Sequence, residues 1–331
     1  MRAPDFWARR DGSLRSTLLR PLGWAYGAAA GVRYAAVKPW KAPVPVLCVG
    51  NLVAGGAGKT PVSLSLGAHL AEFGVNIHFL TRGHGGGAPQ PLRVDADRHS
   101  IKDVGDEALL LARSAPTWVS ADRAIGARLA AAAGAGVIIM DDGFQNPGLF
   151  KDVSLLVIDG GYGLGNGRVI PAGPLRESLA SGLARADALV LIGDDKNGVR
   201  EQVGTSLPLL RARVKPGPEA AGLNGKDVVA FAGIGMPDKF FDTLRAAGCR
   251  LVACHPFPDH YPYEAEDIQR LKARARETGS ILATTAKDAV RLSPEMREGI
   301  EVLTISMEWD DQTALASVLE PLVINGRYKP N

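Results

Sequence analysis

The run Val44-Pro-Val-Leu-Cys-Val-Gly-Asn-Leu-Val-Ala-Gly-Gly-Ala-Gly-Lys-Thr60 holds the residue types that grip a triphosphate. An apolar stretch enters a glycine-rich turn and leaves it as a helix starting near Gly58, which is the form of a Walker A loop. Gly55, Gly56 and Gly58 let the backbone N–H groups of Val53, Ala54, Gly55, Gly56, Ala57, Gly58, Lys59 and Thr60 converge on phosphate oxygens without interference from a Cβ. Lys59 is placed to reach the β- and γ-phosphates, and the Thr60 hydroxyl to ligate Mg²⁺. Val53 stands where the first glycine of the motif usually lies. Pro61 falls in the first helical turn, where its missing N–H costs little.

A phosphate loop of this kind needs an acid at the end of a neighbouring strand. Val137-Ile-Ile-Met-Asp-Asp-Gly-Phe-Gln145 supplies Asp141 as the metal carboxylate, with Asp142 as a second acid beside it. Either could be the direct ligand. Ala54 occupies the position of the second lysine found in partitioning and metallochaperone ATPases, and Thr285-Ala-Lys-Asp288 has the wrong spacing to read guanine. ATP is therefore the expected nucleotide.

The elements around these motifs alternate. Val44–Val49, Val75–Leu80, Val137–Met140, Val153–Ile158 and Ala188–Ile192 read as strands covered on both faces. Helical patterns separate several of them, at Pro61–Phe73, Asp106–Ser114 and Ala121–Ala133. This rhythm implies an α/β fold: a mostly parallel P-loop NTPase-type sheet with helices on both faces. Arg211–Pro218, rich in Pro, Gly and Lys, reads as a linker. A second series follows, with strands at Asp227–Ala232, Arg250–Cys254, Ile281–Thr285 and Glu301–Ser306 and helices at Pro237–Ala247 and Glu264–Thr278. The expected organisation is an N-terminal helical segment (1–40), a P-loop domain (41–215) and a smaller α/β domain (216–331).

At 331 residues, with 46% hydrophobic and 22% charged residues, the chain is neither disordered nor a polytopic membrane protein. Three cysteines with no CxxC pair argue against a disulfide framework or a zinc site. Charge is distributed unevenly. Residues 1–41 carry Arg2, Arg9, Arg10, Arg15, Arg20, Arg33, Lys38 and Lys41 against Asp5 and Asp11, a net +6, which leaves −3 for the rest of a +3 chain. That pattern fits an anionic membrane surface and excludes nucleic acid wrapped around the body. The uncharged stretch between Arg20 and Arg33 would span roughly 18 Å as a helix at ~1.5 Å per residue, short of the ~30 Å bilayer core. The segment reads as an interfacial amphipathic region, with Phe6, Trp7, Leu18, Leu22, Trp24 and Tyr26 in lipid. A helix packed on the protein's own body competes with this reading, as does a signal peptide.

Together the motifs resemble those of the tetraacyldisaccharide 4′-kinase family of lipid A biosynthesis. The resemblance covers nearly the whole chain: Phe6-Trp7, Gly50-Asn51, Gly55-Gly-Ala-Gly-Lys-Thr-Pro61, Thr81-Arg-Gly83, Val104-Gly-Asp-Glu107, Ala121-Asp-Arg123, Asp141-Asp-Gly-Phe-Gln145, Pro171-Ala-Gly-Pro-Leu-Arg-Glu177, Phe257-Pro-Asp-His-Tyr261 and Thr284-Thr-Ala-Lys-Asp288. It departs at His84-Gly-Gly-Gly87, where an aromatic and then a basic residue are usual, and at Asn146, commonly a histidine. The resemblance implies a peripheral kinase on the cytoplasmic face of the inner membrane. Such a kinase transfers the ATP γ-phosphoryl group to the 4′-hydroxyl of a lipid-linked disaccharide 1-phosphate, giving lipid IVA, with its site in the cleft between two domains. No obligate protein partner is implied.

The resemblance also implies roles for individual residues. Asp106, an N-cap by sequence alone, becomes the general base, paired with His260, otherwise a surface turn residue. Arg82 and Arg123 have guanidinium forks suited to the transferring phosphate or to the acceptor's 1-phosphate, and would otherwise form surface ion pairs. Arg176 is expected over the phosphates, Glu177 in the Mg²⁺ shell, and Gln145 on a metal-bound water or on the nucleotide. Lys287 and Asp288 read as a strand-to-helix turn outside the site. A P-loop kinase or ligase of a soluble metabolite, and a membrane-bound nucleotide switch, are the competing functions.

Overall fold

A computed structural model describes residues 4–8 and 13–325. Arg2, Arg9, Arg10 and Asp11, counted above in the basic segment, lie outside the described residues. Long unalternating apolar runs become buried parallel strands: β1 (Val46–Gly50), β2 (Ile77–Thr81), β5 (Val137–Asp141), β6 (Val153–Asp159) and β7 (Ala188–Ile192), each buried along its whole length. With β3 (Leu92–Arg93), β4 (Thr117–Val119), β8 (Leu209–Pro216) and β13 (Ile305–Trp309) they form one nine-stranded sheet in the order β13-β8-β7-β6-β1-β5-β2-β4-β3. Only the outermost pairs, β13 with β8 and β3 with β4, are antiparallel. The remaining β9 (Asp227–Ala232), β10 (Arg250–Pro256), β11 (Ile281–Thr285) and β12 (Ile300–Leu303) make a parallel four-stranded sheet in the order β10-β9-β11-β12.

The chain leaves β1 for β2 on one side and later fills the other side with β6, β7 and β8. Strand order therefore reverses at β1, and the crevice at its carboxyl end is where ligands bind in open α/β sheets. The phosphate loop begins there. Both faces of the large sheet are covered. Val46, Cys48, Ile138 and Met140 face the helix Arg123–Ala132 and the 164–175 loop. Leu47, Val49 and Ile139 face the helix Lys59–Glu72, through Val62, Leu66 and Leu70, and the C-terminal helix Gln312–Asn325, through Leu315, Leu319 and Leu322.

The pairing corrects the expected division at residue 215. Arg211–Pro218 is not a linker: most of it lies in β8, whose buried Leu210 and Ala212 alternate with outward Arg211, Arg213 and Lys215. Nor does everything after residue 215 belong to the smaller sheet. The apolar run expected as one strand over Glu301–Ser306 breaks at Thr304; its first half is β12 of the small sheet and its second half opens β13, which returns to pair with β8. The last strand and helix therefore complete the core of the large unit.

The N-terminal helix Arg20–Ala35 packs by Gly23 and Gly27 against Val169. Leu14, Leu18, Leu22, Trp24, Tyr26 and Val32 are exposed, Leu18 and Trp24 by about two thirds (70% and 67%). Phe6 and Trp7, expected in lipid, are instead half-buried: Trp7 Nε1 donates to Pro171 O at 3.1 Å, and Asn166 Nδ2 donates to Phe6 O at 3.2 Å. A polar loop satisfies their backbone and indole groups, so they dock on protein. Among the described residues no helix is long and apolar enough to cross a membrane.

The seating of the C-terminal helix can be tested directly. Leu319→Ala should destabilise the protein by about 2–5 kcal/mol in urea unfolding, as a buried leucine in a packed core does; a loss below about 0.5 kcal/mol would show that this helix does not share the large core.

Candidate active site

Asn51, fully buried at the end of β1, shapes the loop before the glycines begin. Its Nδ2 donates to Val53 O at 2.7 Å and Gly55 O at 3.4 Å, ties that compensate for the missing first glycine. The 174–176 segment is sewn alongside, with Ala54 N bonded to Pro174 O at 2.8 Å and Arg176 N to Leu52 O at 2.7 Å. Gly58 takes φ 79° as the residue that turns the loop into the helix, and a Cβ there would approach Ile192 to 2.7 Å. A side chain is excluded on both counts.

Two successive acids close the loop. Asp141, wholly buried at the end of β5, accepts from Thr60 Oγ1 at 3.0 Å and from Ser63 Oγ at 2.8 Å. Burial pushes its carboxyl up, and the nearby negative charges of Glu107 and Asp142 add to this against Ser63 and Lys59. Asp142 adopts φ 52° and lies 3.7 Å from Lys59 Nζ and 3.2 Å from Arg176 Nη1. Burial opposes its ionisation too, but Lys59 and Arg176 outweigh it and hold the carboxyl below the usual range.

A divalent cation fits this donor set. A buried carboxylate that carries surplus negative potential beside a hydroxyl is a hard-oxygen half-shell. Among the described residues no cluster of three or more His, Cys, Asp or Glu side chains could hold a metal by itself. Mg²⁺ takes one or two carboxylates and completes its shell with phosphate oxygens and waters. Glu177, expected in the metal shell, pairs with Arg185 and accepts from Ser181 Oγ at 3.1 Å and Gln145 Nε2 at 3.2 Å. Gln145 also donates to Asn51 O at 3.0 Å, and its Oε1 accepts from Arg176 Nη1 at 3.4 Å, so it spaces Glu177 from Asp142. Glu177 is thus paired with a base, as Asp142 is with Lys59 and Arg176.

Arg123 is buried at the start of the helix Arg123–Ala132. One guanidinium nitrogen bonds Ser120 O, while Nε has no partner among the described residues. Burial and the exposed Arg82 beside it pull its pKa down to about 10, against the charges of Asp142 and Asp141. A buried guanidinium with an unpartnered Nε has the chemistry to bind an anion.

On the second side of the cleft, Gly105 (φ 83°) caps the helix Asp106–Ala112 and leaves Asp106 as its first residue. A Cβ on Gly105 would come within 2.3 Å of His84 O. Asp106 Oδ2 lies 2.9 Å from His260 Nδ1, so the structure brings together the two residues expected as a dyad. His260 sits at φ 58° in a turn held by its own N–H to Gly233 O at 3.1 Å, and an aromatic cluster of Phe231, Phe257, Tyr261 and Tyr263 packs beneath it. The His84 ring stands 6.2 Å from that of His260. The second unit also abuts the phosphate loop: a Cβ on Gly235 would lie 3.4 Å from Gly56 N.

Sequence reasoning missed three charged neighbours of this pair. Arg291 binds Asp106 directly, Asp288 binds Arg291, and Lys287 reaches Glu107 at 3.3 Å and Asp259 at 3.8 Å. Lys239 pairs with Asp159 at the end of β6. Lys287 and Asp288 do occupy a strand-to-helix turn, capped by Thr285, yet that turn forms the wall behind Asp106. The signal was present in Thr284-Thr-Ala-Lys-Asp288, which stood out as a motif without an assigned task.

The family model for tetraacyldisaccharide-1-P 4′-kinase matches residues 15–323. The tetraacyldisaccharide 4′-kinase of Rhodospirillum centenum is 53% identical over 98% of this chain and 97% of its own, and that of Paramagnetospirillum magneticum 54% identical over 97% and 98%. Among solved structures, the LpxK of Aquifex aeolicus, an "apo" form crystallised in complex with ATP, aligns with a TM-score of 0.77 at 29% identity, covering 94% of this chain and 100% of its own. With nearly the whole length matched by the model and more than half of the aligned residues shared with these two relatives, this chain belongs to the tetraacyldisaccharide-1-P 4′-kinase family.

Proposed function

We propose that this protein transfers the γ-phosphoryl group of ATP to the 4′-hydroxyl of a tetraacyl glucosamine disaccharide 1-phosphate, with Mg²⁺. The observation that carries the reading is the pairing of a glycine-rich phosphate loop, its Thr60 bonded to Asp141, with an Asp106–His260 pair across the same cleft. The backbone N–H groups of residues 53–60 bind the triphosphate, and Lys59, now 3.7 Å from Asp142, turns its charge to the β- and γ-phosphates. Thr60, Asp141 and Asp142 hold Mg²⁺, which supplies charge neutralisation on the phosphate oxygens. Arg123 and Arg176 add fixed positive charge, worth most in a site where burial lowers the dielectric. Arg82, exposed at the cleft edge, binds phosphate from the transferring group or from the acceptor.

A sugar hydroxyl is a weak nucleophile, so in-line placement and a proton acceptor matter most. Asp106 takes the proton from the 4′-hydroxyl, and His260 orients and polarises that carboxylate. Glu177 acts at one remove: with Arg185 it fixes Gln145, which meets both Arg176 and the end of β1.

The division of labour follows the architecture. The large sheet binds nucleotide, the four-stranded unit brings His260 to the cleft, and the N-terminal helices lie on an anionic bilayer at the cytoplasmic face of the inner membrane. The exposed row of Leu14, Leu18, Leu22, Trp24, Tyr26 and Val32, interleaved with Arg15, Arg20 and Arg33, supports this. Lying on the surface that holds the acyl chains raises the local concentration of the acceptor.

The direct test is purified protein with labelled ATP, Mg²⁺ and a detergent-solubilised tetraacyl disaccharide 1-phosphate; a bis-phosphorylated lipid is expected, and phosphorylation of only soluble acceptors would refute the assignment. Lys59→Ala should lower kcat by about 10²–10³-fold, the scale for losing one transition-state charge contact, and unchanged turnover would remove the lysine from the phosphates. For Asp106→Ala the loss should be about 10²–10⁴-fold, in kcat rather than KM; an effect confined to KM would make it a binding residue. Leu18→Glu combined with Leu22→Glu and Trp24→Glu should abolish flotation with anionic vesicles and leave ATP-analogue binding intact. Undiminished flotation would place the membrane contact elsewhere.

A further inference from the structure

Asp106 belongs to the large unit, but the donors on its outer oxygen come from the smaller one. Oδ1 accepts from Glu107 N at 2.9 Å. Oδ2 receives His260 Nδ1 at 2.9 Å, Arg291 Nε at 2.9 Å and Arg291 Nη2. The Arg291 side chain is 1% exposed and its remaining nitrogen is also spoken for: Nη1 donates to Gly233 O at 2.6 Å and to Asp288 Oδ1 at 2.8 Å. Asp288 is fully buried and accepts further from Gly233 N at 2.9 Å, Tyr263 OH at 2.8 Å and Thr285 Oγ1 at 2.6 Å. The guanidinium is therefore aimed by a rigid buried turn.

Burying such a network is a poor route to stability, since apolar side chains of similar volume often do as well or better. What an arginine fork provides and an apolar side chain does not is direction. A lone carboxylate can rotate about its Cβ–Cγ bond. One clamped through Nε, Nη2 and an imidazole cannot. The Arg291 side chain has almost no surface to offer a ligand, so any effect on chemistry passes through the groups it holds: Asp106 directly, and the His260 turn through Gly233 O.

We infer that Arg291 is a positioning residue for phosphoryl transfer: from the small unit it fixes the Asp106 carboxylate in the orientation that receives the acceptor proton, and only when the two units are apposed. The inference rests on Asp106 being the base.

The charges around Asp106 give it a signature beyond fold support. Burial raises its carboxyl, but the His260 hydrogen bond and the charges of Lys287, Arg291 and His260 more than offset this, so it is held well below the usual carboxylate range. Glu107, Asp259 and the His84 ring complete the set facing the pair. Since the ionised carboxylate is the acceptor, activity is present above its pKa and lost as pH falls through it. Removing Arg291 lets Asp106 protonate at higher pH, so the acid limb must move upward.

The test compares full-length Arg291→Met and Arg291→Lys with Asp106→Asn and the parent protein, measuring kcat and the KM for ATP against pH with the detergent-solubilised acceptor, alongside Tm. Arg291→Met should lose about 10²-fold in kcat, the scale for a small misplacement of a reacting group, with KM for ATP little changed and the acid limb at higher pH. Arg291→Lys, which keeps the charge but not the fork, should recover part of kcat. A parent-like kcat in Arg291→Met overturns the inference, and so does a lowered kcat and Tm with the acid limb unmoved, which marks mere fold support. Should Arg291→Met fail to fold, Arg291→Lys decides: parent-like kcat and limb overturn, a reduced kcat with a displaced limb supports. Active Asp106→Asn would defeat the base reading itself, whereas inactive Asp106→Asn beside normal Arg291→Met defeats only the role of Arg291.

Discussion

One buried carboxylate ties the nucleotide loop to the sheet. Asp141 ends β5, the neighbour of β1, and receives hydroxyls from two successive turns of the helix that follows the glycines, Thr60 and Ser63. A helix N-terminus and a strand terminus are thereby fixed to each other through a group with no solvent. An ionised carboxylate in that position is costly unless compensated, and here the compensation from protein is incomplete, because Glu107 and Asp142 add negative charge nearby. The deficit is what makes the place fit for a cation. Fold and affinity thus come from the same imbalance: apolar strands drive Asp141 into the interior, and its remaining demand for positive charge is left to what binds.

That arrangement was legible in the sequence because each part is local. Glycines at fixed offsets after an apolar run specify the loop, and Asp141 terminates a run too apolar to lie at a surface. What could not be read was long-range or masked by composition. The basic residues of β8 made a strand look like a linker, since its Arg and Lys point outward while only Leu210 and Ala212 turn inward. The break between β12 and β13 falls inside a continuous run, and nothing local says that Ile305 joins a different sheet from Leu303. Arg291 stands far along the chain from Asp106, and a single arginine after a short helix carries no local mark of its partner.

The N-terminal segment is less separate from this machinery than its composition suggests. Ser16 Oγ donates to Ala172 O at 2.5 Å, and Trp7 Nε1 reaches Pro171 O, so the segment braces the loop whose next residues are Arg176 and Glu177. At the far end of its helix, Tyr34 lies under the Arg185 guanidinium at 4.0 Å, the same arginine that pairs with Glu177. Exposed leucines on one side and these contacts on the other give the segment two unlike faces, one turned to the loop and one outward. Phe6 and Trp7 serve the inner side and Leu18, Leu22 and Trp24 the outer.

Charge across the cleft has a consistent sense. Asp106, Glu107 and Asp159 come from the large unit; His260, Arg291, Lys287 and Lys239 come from the small one. Ion pairs of this kind add little net stability where water reaches them, as it does Lys239, whose side chain is 46% exposed, and they break even at best when buried. Their value lies in register, since each acid accepts its base at one relative placement of the two units. The small unit therefore does more than cover the nucleotide loop: by being seated it completes the electrostatics of Asp106.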